Sequence, residues 1–134
     1  MPVNEIQNKY MENSINTATH EELTMMLYNG LVKFIMIAQS SLEENSLDKT
    51  NNNILRAQAI IREFRVTLDM KYEVSQGLDL IYDYMDRKLI EANVKKDKSI
   101  LQEVLNYARE LRDTWGQAVK LAKTQPLKTS EVAK

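Results

Sequence analysis

The sequence predicts an all-α protein, an antiparallel up-down four-helix bundle preceded by an N-terminal extension. Three observations carry that prediction. No proline lies between residues 3 and 125, and only Gly30, Gly77 and Gly116 punctuate the 134 residues; a long proline-free, glycine-poor stretch favours long helices. Apolar residues recur at alternating spacings of three and four in four separate stretches, the period of one helix face. No stretch sustains the period-two alternation of a half-buried strand.

Each element has its own justification. Residues 1–18 stand outside the four stripes and carry a thin apolar line, Ile6, Tyr10, Met11 and Ile15. Two readings of this segment stay open: it lies over the bundle, or it is a disordered terminus. Thr19-His20-Glu21-Glu22 fits a capping box, with the Thr19 hydroxyl accepting from the Glu22 N–H. The first bundle helix then runs over 20–44, with Leu23, Leu27, Phe34, Ala38 and Leu42 as its seam. The polar run 45–53 competes with helix backbone and reads as a loop. A second helix over 52–70 carries Ile54, Ala57, Ile61, Phe64 and Leu68. After a junction at 70–73, a third helix over 73–94 carries Val74, Leu78, Ile81, Met85, Leu89 and Ala92. A turn at 93–97 brings Asp97 to an N-cap position. The fourth helix, 98–123, carries Leu101, Val104, Ala108, Leu111, Trp115, Ala118 and Ala122. Short connections make consecutive helices antiparallel neighbours. The organisation expected is thus a 1–18 segment, a 19–123 bundle and a mobile 124–134 tail.

Composition removes several functions. There are 18 Lys and Arg against 19 Asp and Glu, with one His and no Cys. A nucleic-acid binder needs a large surplus of basic side chains, so no nucleic-acid partner is expected. Without cysteine there is no disulfide framework, thiolate zinc site or sulfur nucleophile. A di-iron bundle needs Glu-x-x-His on two helices, and His20 is alone at a helix start. No Gly-x-Ser-x-Gly, Gly-x-Gly-x-x-Gly or Walker pattern is present. The carboxylate pairs Glu21/Glu22, Glu43/Glu44 and Asp83/Asp86 read as solvated helix charge. The expectation is no enzyme, no metal and no cofactor. The longest apolar run, residues 34–38, is far short of the ~20 residues of a membrane span. The N-terminus is too polar for a secretory signal, and the reading is a cytosolic protein.

Apolar material exceeds one stripe per helix. Leu23, Met25, Met26, Leu27, Leu31, Val32, Phe34, Ile35, Met36 and Ile37 occupy most of the circumference of the 20–44 helix. Such a helix is central in the core or has one stripe covered by something else. Methionines cluster on it, and they make adaptable contacts. Leu80, Tyr82, Tyr84 and Ile90 lie off the expected seam of the 73–94 helix, and tyrosine suits a wet interface edge. The residues alone support a helical interaction module with an apolar groove.

The register Thr17, Ala18, Glu22, Leu23, Met26, Leu27, Tyr28, Gly30 resembles the opening of the flagellar secretion chaperone FliS family. Further likeness follows in order: Arg56-Ala57-Gln58-Ala59-Ile60-Ile61, Ile81-Tyr82-Asp83-Tyr84-Met85, Leu89-Ile90-Glu91-Ala92-Asn93 and Leu111-Arg112-Asp113-Thr114-Trp115. Tyr10 falls where the family places a tyrosine ahead of the Thr-Ala pair. His20 departs from the Pro that many members carry at the first helical turn. The resemblance covers about residues 10–122 and implies a cytoplasmic chaperone. Such a protein binds the C-terminal segment of flagellin, prevents early polymerisation and delivers it to a component of the flagellar type III export gate. On that resemblance the client groove is expected to involve Ile6, Tyr10, Ile15, Leu23, Met26, Leu27, Tyr28, Tyr82, Met85, Leu89 and Asn93. Core packing is the rival role for the motif positions Tyr28, Tyr82, Met85 and Leu89, and local capping is the rival for Asn93. An exposed groove also pairs with itself, so a weak homodimer without client is expected. The competing reading is a generic helical adaptor that binds a folded regulatory partner through the same groove.

Overall fold

In the computed structural model, described over residues 2–124 apart from the side chains of 2–4, 7, 10, 14 and 15, every regular element is a helix. The order is α1 (Pro2–Thr17), α2 (His20–Glu43), α3 (Leu47–Thr67), α4 (Glu73–Lys95) and α5 (Lys98–Thr124). No strand occurs among the described residues, and no helix among them is long and apolar enough to cross a membrane. Helices α2 to α5 form a closed cycle of contacts: α2 packs on α3 and α5, and α4 packs on the same two. Near one extreme Gln39 Nε2 donates to Gln102 at 2.9 Å and Asn93 Nδ2 to Asn51 at 2.7 Å. Near the other, Trp115 Nε1 donates to the Glu21 carbonyl at 3.2 Å and Arg65 Nε to Asp79 at 2.8 Å.

The helix boundaries follow local chemistry, with one correction. Thr19 Oγ1 accepts the Glu22 N–H at 3.2 Å, as its spacing predicts. Asp97 Oδ1 accepts from the N–H groups of Ser99 at 2.9 Å and Ile100 at 3.4 Å, and these bonds hold its pKa below the ordinary value. The 45–53 run, expected as a loop, is helical from Leu47 onward. Its polar side chains serve the helix instead of competing with it. Thr50 Oγ1 bonds the Ser46 carbonyl at 3.0 Å, and Asn53 Nδ2 bonds the Lys49 carbonyl at 2.8 Å. Only Glu44, Asn45 and Ser46 are left to turn the chain. Asn45 takes a left-handed φ of 59°, its N–H bonds Leu42 O at 3.1 Å, and Ser46 N–H bonds Ser41 O at 2.8 Å, the Schellman pattern. The N-terminal segment is also helical, forming α1.

The interior holds Leu31, Ile35, Ile54, Ile61, Met85, Leu89, Leu101, Val104 and Leu105, all fully buried. Each such side chain contributes about 1.5–3 kcal/mol of transfer free energy. Two seams differ from expectation. On α4 the buried line is Ser75, Tyr82, Met85, Leu89 and Ala92, while Val74 and Ile81 are exposed. Tyr82 takes the interior because its hydroxyl finds a partner there: it lies 2.7 Å from the Tyr28 hydroxyl of α2. Phe64 of α3 stacks between the two rings, at 4.5 Å from Tyr28 and 5.5 Å from Tyr82. This group joins α2 to α4, one of the two pairs that do not neighbour in the cycle. On α2 the buried line is Tyr28, Leu31, Val32, Ile35, Ala38 and Ser41. The expected seam residues Leu23, Leu27 and Phe34 therefore form a second stripe at its flank.

Candidate functional site

That second stripe makes the site. Leu23, Met26, Leu27, Gly30 and Phe34 share one face of α2 through their three- and four-residue spacing, and they meet Ile60 of α3. The result is a groove of about 420 Å³, completed by Met11 of α1 and by Asn29 and Lys33 at its rim. Gly30 sets its depth. A Cβ at this position would stand 3.3 Å from Ile60 Cδ1, so the bare backbone lets α3 approach closely and leaves the floor low. At the far end of the stripe, the Arg56 guanidinium lies over the Phe34 ring, 5.7 Å from its centroid. The lining contains one cation, Lys33, and no carboxylate.

On the opposite flank of α2 a second apolar depression, of about 440 Å³, runs along the end of α5. Trp115, Ala118, Val119 and Ala122 line it beside Glu21 and Lys123. Met25 and Gly116 bound it, and a Cβ on Gly116 would stand 3.2 Å from Met25 Cε. The α5 seam continues here beyond the core, leaving Ala118 and Ala122 exposed. Trp115, expected in the core, is half-buried at its edge, packed against the core cluster and held through its indole N–H.

The structure brings together only some of the residues expected at the groove. Leu23, Met26 and Leu27 line it. Ile6 is exposed on α1; Tyr10 and Ile15 fall within the same helix, with side chains outside the described residues. Tyr28, Tyr82, Met85 and Leu89 sit instead in the core, with Met85 and Leu89 at 0% exposure. Their spacing is that of the buried line, and the two hydroxyls satisfy each other. Burial pushes the pKa of both tyrosines up. Asn93 is half-buried near the end of α4, bonded to Asn51 and to the Lys96 ammonium. Met11, Phe34, Gly30 and Ile60 line the groove without having been expected there. Phe34 and Gly30 were legible as members of the Leu23–Leu27 stripe; Ile60 requires knowing which helix lies beside α2. Among the described residues no cluster of His, Asp or Glu is arranged to hold a metal.

An all-helical scaffold that keeps a second apolar stripe open on one helix defines a binding module. The model of a known family, flagellar protein FliS, matches residues 3–122. The chain is 46% identical to the flagellar secretion chaperone FliS of Bacillus subtilis over 110 residues, 82% of this chain and 83% of that protein. It is 30% identical to the protein of the same name from Escherichia coli over 112 residues, 81% and 82% of the two chains. The relative from Vibrio cholerae shares 23% over 109 residues, 80% of each. The chain belongs to the FliS family of flagellar secretion chaperones.

Proposed function

We propose that this protein is a cytoplasmic export chaperone for flagellin. Its 19–123 region is an antiparallel up-down four-helix bundle that receives the client's C-terminal segment, with α1 as a docked cover; the expected 124–134 tail lies, beyond Thr124, outside the described residues. It keeps the client from polymerising early and delivers it to a component of the flagellar type III export gate. The observation that carries this reading is the second stripe of α2, with Leu23 exposed and Met26, Leu27 and Phe34 half-buried, walled by Ile60 and only partly covered by Met11. The names of the relatives say flagellar secretion chaperone; flagellin as the client is what the family resemblance implies.

The physical logic is one of substitution. A segment destined for a helical filament layer has an apolar stripe and no partner for it while monomeric. The groove supplies apolar contacts in place of the missing filament neighbours. Ordering such a segment costs about 2–5 kcal/mol, which a wide apolar interface must offset. Leu23, Met26 and Leu27 touch the client directly. Ile6, Tyr10 and Ile15 belong to the α1 cover, which moves when client enters. Tyr28, Tyr82, Met85 and Leu89 act from beneath, holding α2 and α4 in register so that the groove keeps its shape. Without client, the same stripe supports a weak homodimer.

Titration calorimetry of the full chain against the C-terminal ~40 residues of a flagellin, with circular dichroism of the mixture, tests the reading; that length lets a folding client bury about 1,000–3,000 Å². The expected result is one-to-one binding with a negative heat-capacity change and helicity beyond the sum of the parts. Absence of binding with the chain fully folded contradicts it. Binding only to a pre-folded partner, with no gain of helicity, favours a general adaptor instead.

A further inference from the structure

We propose that residues 125–134 fold back along the end of α5 and strap over the apolar depression around Trp115, an occupant supplied by the chain itself. The depression lies on the opposite flank of α2 from the α2–α3 groove, so the strap is independent of the client reading.

The inward stripe of α5 outruns its partners. Leu101, Val104 and Ala108 are fully buried, Leu111 and Trp115 partly so, and Ala118 and Ala122 are exposed. Gly116 lies against Met25, in the second turn of α2: a Cβ on it would stand 3.2 Å from Met25 Cε. The α5 residues that follow therefore run to the start of α2 and past it. Trp115, Ala118, Val119 and Ala122 are left lining the depression with nothing packed on them but Glu21 and Lys123 at its rim. Met11, the α1 side chain that lines a groove, is on the other flank of α2.

The occupant follows from what comes next in the sequence. Ten residues, Gln125 to Lys134, continue the chain beyond Thr124. Pro126 cannot continue a helix and biases the residue before it toward extended backbone. The chain thus leaves the α5 axis close to Ala122. Trp115 lies about 13.5 Å back along the helix from Thr124, whereas ten extended residues span about 33 Å. Leu127 is the first apolar side chain after the proline and the one placed to meet Val119 and Ala122. Two residues further, about 7 Å of extended chain, bring Thr129 level with Ala118. Tethering makes a weak contact sufficient. A short linker gives an effective concentration on the order of millimolar, so a docking constant of that size covers Trp115 about half of the time.

Trp115 is the single tryptophan and the chain has no cysteine, so fluorescence and an introduced disulfide each report on one place. Acrylamide quenching is compared between the full chain, a chain ending at Thr124, and full-length L127D, each shown to be folded by thermal melts and circular dichroism. The quenching constant is expected to rise about twofold in both variants, as a half-populated cover is lost. Cysteines at Ala118 and Thr129 are expected to join under mild oxidation several-fold faster than cysteines at Gln117 and Thr129, since Gln117 stands about 100° round the helix from Ala118. Equal quenching in the full and truncated chains overturns the strap, and so do equal cross-linking rates. Quenching that falls with rising protein concentration, alike with and without residues 125–134, assigns the depression to a second copy and overturns it too. Neither readout involves flagellin, so failure of the client reading leaves this result unaffected.

Discussion

At the end of the bundle where α2 turns into α3 and α4 into α5, polar chemistry closes the structure. Ser41 and Thr50 are buried and bonded to each other at 2.8 Å, and Asn51 holds Asn93 at 2.7 Å. Lys98 pairs with Glu43, Asp97 caps α5, and Asn45 and Lys96 reverse the chain in left-handed conformations. Directly inside this lid lie Ile54, Leu89, Ala92 and Leu101, all fully buried. The opposite end, where α1 meets α2 and α3 meets α4, is dressed differently. Val66, Tyr72 and Val74 are 81%, 62% and 69% exposed, and Leu68, Leu78, Leu111 and Trp115 are only partly buried. The closed end exposes Val94 and Leu47 too, at 80% and 49%, but they line neither apolar depression beside α2, and both depressions lie toward the open end. The contrast separates two tasks that compete for the same residues. Capping and polar closure stabilise one end, which leaves the other end free to keep apolar surface for a partner.

The largest effect that sharpens this contrast is a matched pair of truncations on α5. Leu101→Ala, at the closed end, should cost about 2–5 kcal/mol in denaturant unfolding, as for a fully buried leucine. Leu111→Ala, half-buried toward the open end, should cost about half as much. Equal costs would break the comparison.

Next in size is the tyrosine pair, which ties α2 to α4 below the open end. Tyr28→Phe leaves the Tyr82 hydroxyl buried without a partner and should cost about 1–3 kcal/mol; adding Tyr82→Phe should recover most of that loss. The same pair gives a pH dependence. Both tyrosines have folded pKa values raised above the ordinary value, so their contribution is fully present below about pH 10. It is lost as pH rises from there through the raised folded values. Unfolding midpoints measured from pH 8 to 11 should fall in the upper part of that range, and less so in the double phenylalanine variant.

Smaller effects belong to the caps. Thr19→Ala removes the one side-chain cap of α2 at the open end and should cost about 1 kcal/mol. Lys96→Gly, at a φ of 51° in the closed end, should raise stability by about 0.5–1 kcal/mol, since glycine adopts that conformation without steric cost. Thermal melts distinguish the two signs.

Much of this architecture is legible in the residues. The seams of α3 and α5, the Thr19 and Asp97 caps and the excess of apolar surface on α2 all follow from spacing and side-chain type. What escaped has physical causes. The 45–53 run looks like loop because Thr and Asn side chains commonly compete with helix backbone, yet here Thr50 and Asn53 bond carbonyls four residues back. Tyr82 looks like an interface residue because its hydroxyl needs a partner, and that partner, Tyr28, is 54 residues away. Without knowing that pairing, Ile81 is the more natural core choice. Met85 and Leu89 were expected at the groove through family likeness, but their spacing already matched the buried line. On α2 the two stripes are almost equally apolar, and only the positions of α3 and α5 decide which one faces inward.

Hydrogen exchange of the full chain, alone and saturated with the C-terminal flagellin peptide, tests the central claim most directly. The account predicts added protection in α2 around residues 23–34 and in α3 around Ile60, with altered exchange in α1 as the cover moves. Residues 41–53 and 93–100, at the closed end, should exchange as before. Protection that appears first at the closed end, with the α2–α3 groove unchanged, would contradict it.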